Sequence, residues 1–294
     1  LFNTQRIAII KEINNSRYFC KTYQYGTFNK CNKLNIINDA YNNIDNKNCY
    51  KINDCKFYSF MEKGDFELYD FIKTRGDCVI TIDLFIQLTE GLKLLHDKNI
   101  THNDIKPANI IVVKNNDNVQ LKYIDFGFMI YNNRPCFDKQ DQDISGTDGF
   151  KSPEVERLAE YTKFNDIWAL GCIFYFMLSK DSPFKKTKDV INEPPNYKKL
   201  SVKSVRKVTR FDGSKLKLSD NEIQILINII NSIFEKDIWS YKERPDTYEI
   251  LRLLGNKSRS VKNNKTSRMS NNSRMSKNSR SSNKKNKSVS FIHL

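Results

Sequence analysis

The apolar positions change period along the chain. Between residues 6 and 62 they fall in short runs, "RIAII", "RYFCKTY" and "KFYSFME", separated by Asn-rich turns, which is the pattern of strands and hairpins. One stretch, "CNKLNIINDAYNNI", interrupts them with helix-like spacing. From Ile82 onward the spacing is three and four: Leu84, Leu88, Leu92 and Leu95 form one helical stripe that stops at His96. A mainly β portion thus precedes a mainly α portion, with the seam near Lys63 to Glu67. The longest apolar run, "IWALGCIFYFML" from Ile167 to Leu178, has the length of a buried core helix and falls short of the roughly eighteen residues a membrane span needs. No membrane insertion is expected.

Just after the leucine stripe the pattern shortens again. "THNDIKPANIIV" (Thr101 to Val112) packs a His, an acid, a Lys, a Pro and an Asn into eight residues and then becomes apolar; a polar turn, "KNNDN", leads into "VQLKYIDFGF". Two short strands joined by a turn, each with an acid next to one end, bring Asp104, Lys106, Asn109 and Asp125 to one mouth. An acid that accepts a hydroxyl proton, an amine that neutralises a travelling phosphate, and an amide with a carboxylate to hold Mg²⁺ are the parts phosphoryl transfer requires.

Charge singles out the C-terminus. The net charge is +15, yet residues 256–294 carry eleven Lys or Arg and no Asp or Glu, which leaves +4 for the rest. This segment also repeats: "SRMSNN", "SRMSKN" and "SRSSNK" follow one another from Ser267 to Lys284. With almost no large apolar residue it cannot offset its ordering entropy and is expected to be disordered. It reads as a solvated tail, an electrostatic arm for nucleic acid or acidic partners, or a phosphorylation target. Seven cysteines, without the paired spacing of a zinc site or a disulfide scaffold, point to reduced thiols in a cytoplasmic compartment. The chain begins at Leu1 with neither Met nor a secretory signal, as a fragment lacking its true start would.

The motifs resemble those of the eukaryotic-type protein kinases. "HNDIKPAN" is similar to that family's catalytic loop and "DFG" (Asp125, Phe126, Gly127) to its Mg²⁺-binding triplet; "GTDGFKSPE" (Gly146 to Glu154) resembles the end of the activation segment. "DIWALG" (Asp166 to Gly171) resembles the buried helix that supports the loop, and Arg244 of "RP" the partner of Glu154. Five motifs in order over roughly 150 residues are far more specific than one. The resemblance implies an α+β, two-lobed kinase fold over residues 1–255, with lobes at about 1–63 and 64–255 and the tail outside it. It implies Asp104 as catalytic base, Lys106 against the γ-phosphate, Asn109 and Asp125 as Mg²⁺ ligands, and Thr147 as the tie between the substrate segment and the loop. ATP would meet Lys21, with Lys11 as the competing phosphate-positioning Lys; the backbone of Glu62 and Gly64 behind a Met61 gatekeeper; and Ile111 beneath the adenine. The implied function is transfer of the γ-phosphate to Ser or Thr of protein substrates by a monomer.

The chain also departs from the family's pattern. Asn103 stands where an Arg is usual, so activation-loop phosphorylation is not expected to be the switch. Phe150 and Ser152 replace a Tyr and an Ala. No Glu lies between Lys21 and Glu62, and no Gly-rich loop is visible near "LFNTQR". Two other readings follow from these gaps: a pseudokinase scaffold, and a kinase-fold protein that binds nucleic acid or acidic partners through its basic tail.

Overall fold

In the computed structural model, which describes residues 9, 11–26, 58–73, 79–115, 118–135, 146–185, 187–192, 195–211, 215–255 and 289–290, the first described stretch corrects its own sequence pattern. Of the "RIAII" run, expected as a strand, Ile9 alone is described and is helical, as are residues 11–13 that follow it. Ile9 and Ile13 are both buried while Lys11 and Glu12 between them are exposed, so burial follows a period of 3.6 and not of two. No hairpin forms around "NNS". Phe19 instead bridges in parallel to Tyr123, and the strand β1 (Thr22–Gly26) pairs antiparallel with β2 (Tyr58–Glu62). The helix-like run at 31–44 lies outside the described residues.

Beyond the seam, β3 (Phe66–Glu67) leads into the short helix α1 (Leu68–Lys73), and β4 (Val79–Thr81) into α2 (Ile82–Asp97). In α2 the expected stripe of Leu84, Leu88, Leu92 and Leu95 is buried, and the Tyr123 hydroxyl donates to the Leu88 carbonyl at 2.9 Å. After β5 (Ile100–Thr101) the chain makes a 3₁₀ turn at Pro107–Asn109 and then the predicted hairpin, β6 (Ile110–Asn115) and β7 (Asn118–Tyr123). Register runs from Ile110 opposite Tyr123 to Asn115 opposite Asn118, and β3 pairs on the other side of β6. Two small strands, β8 (Ile130–Tyr131) and β9 (Arg134–Pro135), continue from β5.

The remaining helices are α3 (Pro153–Leu158), α4 (Lys163–Ser179), α5 (Thr187–Ile191), α6 (Val202–Phe211), α7 (Asp220–Phe234) and α8 (Thr247–Gly255), with β10 (Lys215–Lys217) pairing in parallel with β4. Helix α4 is buried from Asn165 to Leu178, because a helix apolar on every side has no face for water. Its Trp168 stacks on Phe184 and leans on Phe234, while α7 starts with a Ser219–Glu222 capping box. The whole is an α+β fold of two lobes, with β1 and β2 in the smaller and the helices in the larger. One element crosses back: β11 (Val289–Ser290) pairs antiparallel with β2, Val289 opposite Glu62 and Ser290 opposite Met61. The rest of the tail expected to be disordered lies outside the described residues; these two are ordered because β2, paired with β1 on one edge, offers its other edge as a template.

Candidate active site

The loop from His102 to Asn109 is positioned from beneath by one carboxylate. Asp166, in the first turn of α4, accepts the backbone N–H of His102 through Oδ2 (2.9 Å) and that of Asn103 through Oδ1 (2.9 Å), and His96 Nε2 lies 3.0 Å from Oδ2. The buried helix thus holds the loop as its sequence suggested. His102 is a core residue: the Asp104 N–H donates to its Nδ1 (3.3 Å), so Nε2 carries the proton and donates to the Ile124 carbonyl (3.0 Å). Its ring and Phe19 both pack on Phe126 of the "DFG".

Asp104 is 4% exposed and fully engaged. Its Oδ1 accepts from the Thr147 hydroxyl at 2.8 Å, and its Oδ2 from Asn109 Nδ2 at 2.7 Å and Lys106 Nζ at 2.9 Å. Lys106 also donates to the Thr147 hydroxyl at 2.9 Å, so one hydroxyl joins the acid to the amine. Lys106, Asn109 and Thr147, all predicted, therefore meet on Asp104. Asp125 reaches the same strand end because the Asn109 carbonyl accepts the Ile124 N–H (3.0 Å). It adopts φ +59°, an uncommon backbone for a non-glycine residue, and its Oδ1 takes the Gly127 N–H at 3.0 Å.

The donor set fits Mg²⁺. The Asn109 amide nitrogen is committed to Asp104, so its oxygen is the atom it can offer a hard cation; Asp125 has a second carboxylate oxygen to offer. No group of three His, Cys, Asp or Glu forms a metal cage among the described residues. Two protein oxygens, with substrate phosphates and water completing the shell, are the usual arrangement for Mg²⁺ at a nucleotide.

The predicted adenine residues also meet. Cys20, Ile111 and Ile124 form a small buried cluster on which Met61 packs, and a Cβ added to Gly64 would lie 2.8 Å from both Cβ and Cδ1 of Ile111. Burial pushes the Cys20 thiol up to about 12, with Lys122 acting in the opposite sense. Lys21 does not join them. Its side chain is exposed and its amine lies 5.8 Å from the Tyr23 ring, since the hairpin expected to aim it at the phosphates does not form; Lys11 is exposed on the helical turn.

Sequence reasoning missed Lys122. It faces Ile111 across the β6–β7 ladder and pairs with Glu62 at 2.5 Å, bracing the end of β2 against the larger lobe. Alternation along "VQLKYI" puts Lys122 on the face of Ile124, a signal that was available. It missed too that Asn103, at φ +65°, donates to the Phe128 carbonyl (3.0 Å). The Glu154–Arg244 pair, by contrast, was legible: both side chains are fully buried and meet in two parallel bonds of 2.6 and 2.9 Å.

Acid, amine and amide on one loop, an aspartate at the adjoining strand end and a small apolar cluster beside β2 come together on a two-lobed fold. The model of the protein kinase domain matches residues 2–252, and the chain belongs to that family. Among curated proteins it is similar to the serine/threonine-protein kinase dkf-2 of Caenorhabditis briggsae, 35% identical over 113 residues, which cover 38% of this chain and 9% of that protein. It is similar also to an Aurora kinase of Eremothecium gossypii, 35% identical over 122 residues (41% of this chain, 32% of the relative). A third is the dual specificity protein kinase zak2 of Dictyostelium discoideum, 35% identical over 146 residues (46% and 21%). The chain thus spans a third or less of these relatives' lengths.

Proposed function

We propose that the chain is an ATP-dependent protein kinase that transfers the γ-phosphate to Ser or Thr hydroxyls of protein substrates. The observation that carries this reading is the Asp104 carboxylate, held at once by Thr147, Asn109 and Lys106. A substrate hydroxyl beside Asp104 has an acceptor for its proton, and Lys106 supplies positive charge where the transferred phosphoryl group becomes most anionic. Thr147 fixes the segment from Gly146 to Glu154, on which a substrate chain would lie, to that acceptor. Met61, Gly64 and Ile111 supply an apolar slot for the adenine, with the Glu62 and Gly64 backbone for its edge. Asn109 and Asp125 would hold Mg²⁺, which when bound neutralises phosphate charge. Catalysis on this account is positioning and charge more than covalent chemistry.

Two features support the choice of hydroxyl and compartment. Lys106 stands where Ser/Thr kinases carry a Lys, and the described cysteines, Cys20 and Cys172, are free and buried, as suits a reducing compartment. No helix of the described residues is long and apolar enough to cross a membrane. The test is radiolabelled phosphotransfer from ATP to a panel of Ser, Thr and Tyr peptides and basic proteins. Asp104→Asn should lower kcat by about 10²-fold or more, the scale of a lost general base, with nucleotide binding retained. Asp125→Asn should abolish turnover. A parent chain that binds Mg²⁺-ATP yet labels nothing would establish the scaffold reading, which the position of Lys21 favours.

A further inference from the structure

Helix α6 and the segment before it carry a charge that the catalytic loop does not use. Between Pro194 and Phe211 stand six Lys or Arg and no Asp or Glu. Val205 is fully buried and Val202 packs on the core, which turns Lys203 and Lys207 outward; both are exposed, as are Lys198 and Lys199. Two of the six cations meet carboxylates of the chain itself, Lys199 with Glu235 at 3.3 Å and Arg206 with Asp220 at 2.8 Å. Lys198, Lys203 and Lys207 have no ion-pair partner among the described residues.

A further cation lies at the site itself. Beside Asp104 and Thr147 opens a small pocket, lined also by Phe150, Lys151, Tyr161 and Ala169. The stem of Lys151 runs over Gly146, where an added Cβ would lie 3.0 Å from Lys151 Cγ and 3.2 Å from the Asn103 carbonyl oxygen, so the side chain is held against the loop. Its amine meets Asp148 at 3.5 Å, the limit of a hydrogen bond, and the Asp148 carboxylate is 81% exposed. Glu156, the other acid near it, makes no ion pair with it; burial raises the Glu156 carboxyl, with Lys151 acting in the opposite sense. The acids of the pocket wall have donors of their own, Asp104 from Thr147, Asn109 and Lys106, and Asp166 from the His102 and Asn103 N–H groups. Lys151 is left as a weakly compensated charge, with Asp148 standing where an incoming carboxylate would. The pocket and the basic run are also close. Tyr175, six residues beyond Ala169 on α4, donates its hydroxyl to the Lys198 carbonyl at 2.9 Å. Six residues of helix rise about 9 Å, so the run begins within about 20 Å of the pocket, a span of about six extended residues. Lys203 and Lys207 are separated by a rise of about 6 Å, close to the ~6.6 Å between alternate residues of an extended chain.

We propose that the chain's protein substrates are acidic: a carboxylate adjacent to the acceptor Ser or Thr meets Lys151, and a run of acidic residues further along lies on Lys198, Lys203 and Lys207. The inference rests on the kinase reading above and names the substrates of that same site. A protein fits α6 better than a nucleic acid does. Cations of this run are already matched to carboxylates at Glu235 and Asp220. The large exposed apolar side chains among the described residues, Tyr23, Tyr69, Leu158, Trp239 and Tyr248, all lie outside α6, which leaves unpaired bases no platform there to stack on.

The experiment measures kcat/KM of the full chain with Mg²⁺-ATP for serine peptides that carry Asp, Ala or Arg next to the acceptor, on either side, each with and without a remote stretch of alternating Glu. The better Asp peptide should exceed its Ala counterpart by about 10-fold, and Lys151→Met should bring the two within about twofold. The Glu stretch should lower KM by about 5- to 10-fold at low salt with kcat unchanged, as several exposed ion pairs acting together would. Lys203→Glu/Lys207→Glu should abolish that gain and leave the ratio of Asp to Ala peptides as in the parent. A preference for Arg, a Glu stretch without effect on KM, or a gain that survives the charge reversal would overturn the inference and leave the kinase reading standing. So would a duplex oligonucleotide bound more tightly than the Glu peptide and released by the same reversal, which would assign α6 to nucleic acid. If no peptide is labelled the kinase reading falls, and the acidic partner is judged by the anisotropy of a fluorescent Glu peptide: binding lost on charge reversal upholds α6 as its surface, and no binding removes it.

Discussion

The hydroxyl of Thr147 can be removed with almost no change of shape by Thr147→Val. In the structure it donates to Asp104 Oδ1 at 2.8 Å and accepts from Lys106 Nζ at 2.9 Å, so the substitution deletes two bonds to charged groups. Each such bond contributes about 1.5–3 kcal/mol net. Asp104 keeps Asn109 and Lys106, and Lys106 keeps Asp104 at 2.9 Å, so we take the value of one bond and not two. That corresponds to a fall in kcat of about 10- to 150-fold. The KM for ATP should stay within about twofold, because Met61, Gly64 and Ile111 are untouched, whereas the KM for a peptide should rise as the Gly146–Glu154 segment loosens. Thr147→Ser restores both bonds and should restore rate. Steady-state assays with ATP and peptide varied separately give the split. A Val variant within threefold of the parent, or a Ser variant as impaired as Val, would refute the reasoning.

Gly64→Ala places a methyl 2.8 Å from the Cβ of Ile111, an atom that cannot swing aside; overpacking of about 1–3 kcal/mol should lower Tm by about 2–12 °C and weaken nucleotide binding, measured by melting curves with and without ATP. Glu154→Gln leaves the Arg244 charge buried without its carboxylate and should cost about 3–5 kcal/mol, seen in denaturant unfolding; a Glu154→Leu/Arg244→Met double variant should recover at least half of that loss. Cys20, its thiol pushed up to about 12 by burial, should be alkylated at pH 8 about 10³-fold more slowly in the folded chain than in urea, read from the mass of its peptide, and equal rates would show that the cluster at Ile111 is open.

What the sequence made legible was whatever local spacing determines. The leucines of α2 lie on one stripe because α-helical spacing demands it, and the two strands around "KNNDN" pair because both are short, apolar and separated by a turn. Asp104, Lys106, Asn109 and Asp125 converge for the same reason: loop and strand ends adjacent in sequence are adjacent in space. Glu154 and Arg244, ninety residues apart, were legible only through the resemblance. The position of Lys21 was not legible because it depended on reading residues 6–13 as a strand; the run Ile7–Ile10, three isoleucines and one alanine, has no polar alternation to separate period two from 3.6. The pairing of β11 with β2 was illegible for another reason. Nothing in "SVSFIHL" names its partner, and an added strand is chosen by the free edge it finds.

Asp166 carries a consequence for motion. Loops usually open on their own, many times faster than the protein unfolds. Here the amide protons of His102 and Asn103 are held by a carboxylate that springs from a helix buried from Asn165 to Leu178, so they are released only when the first turn of α4 moves. These two loop amides should exchange with solvent deuterium as slowly as those of α4 itself. The reactive loop, on that clock, belongs to the core.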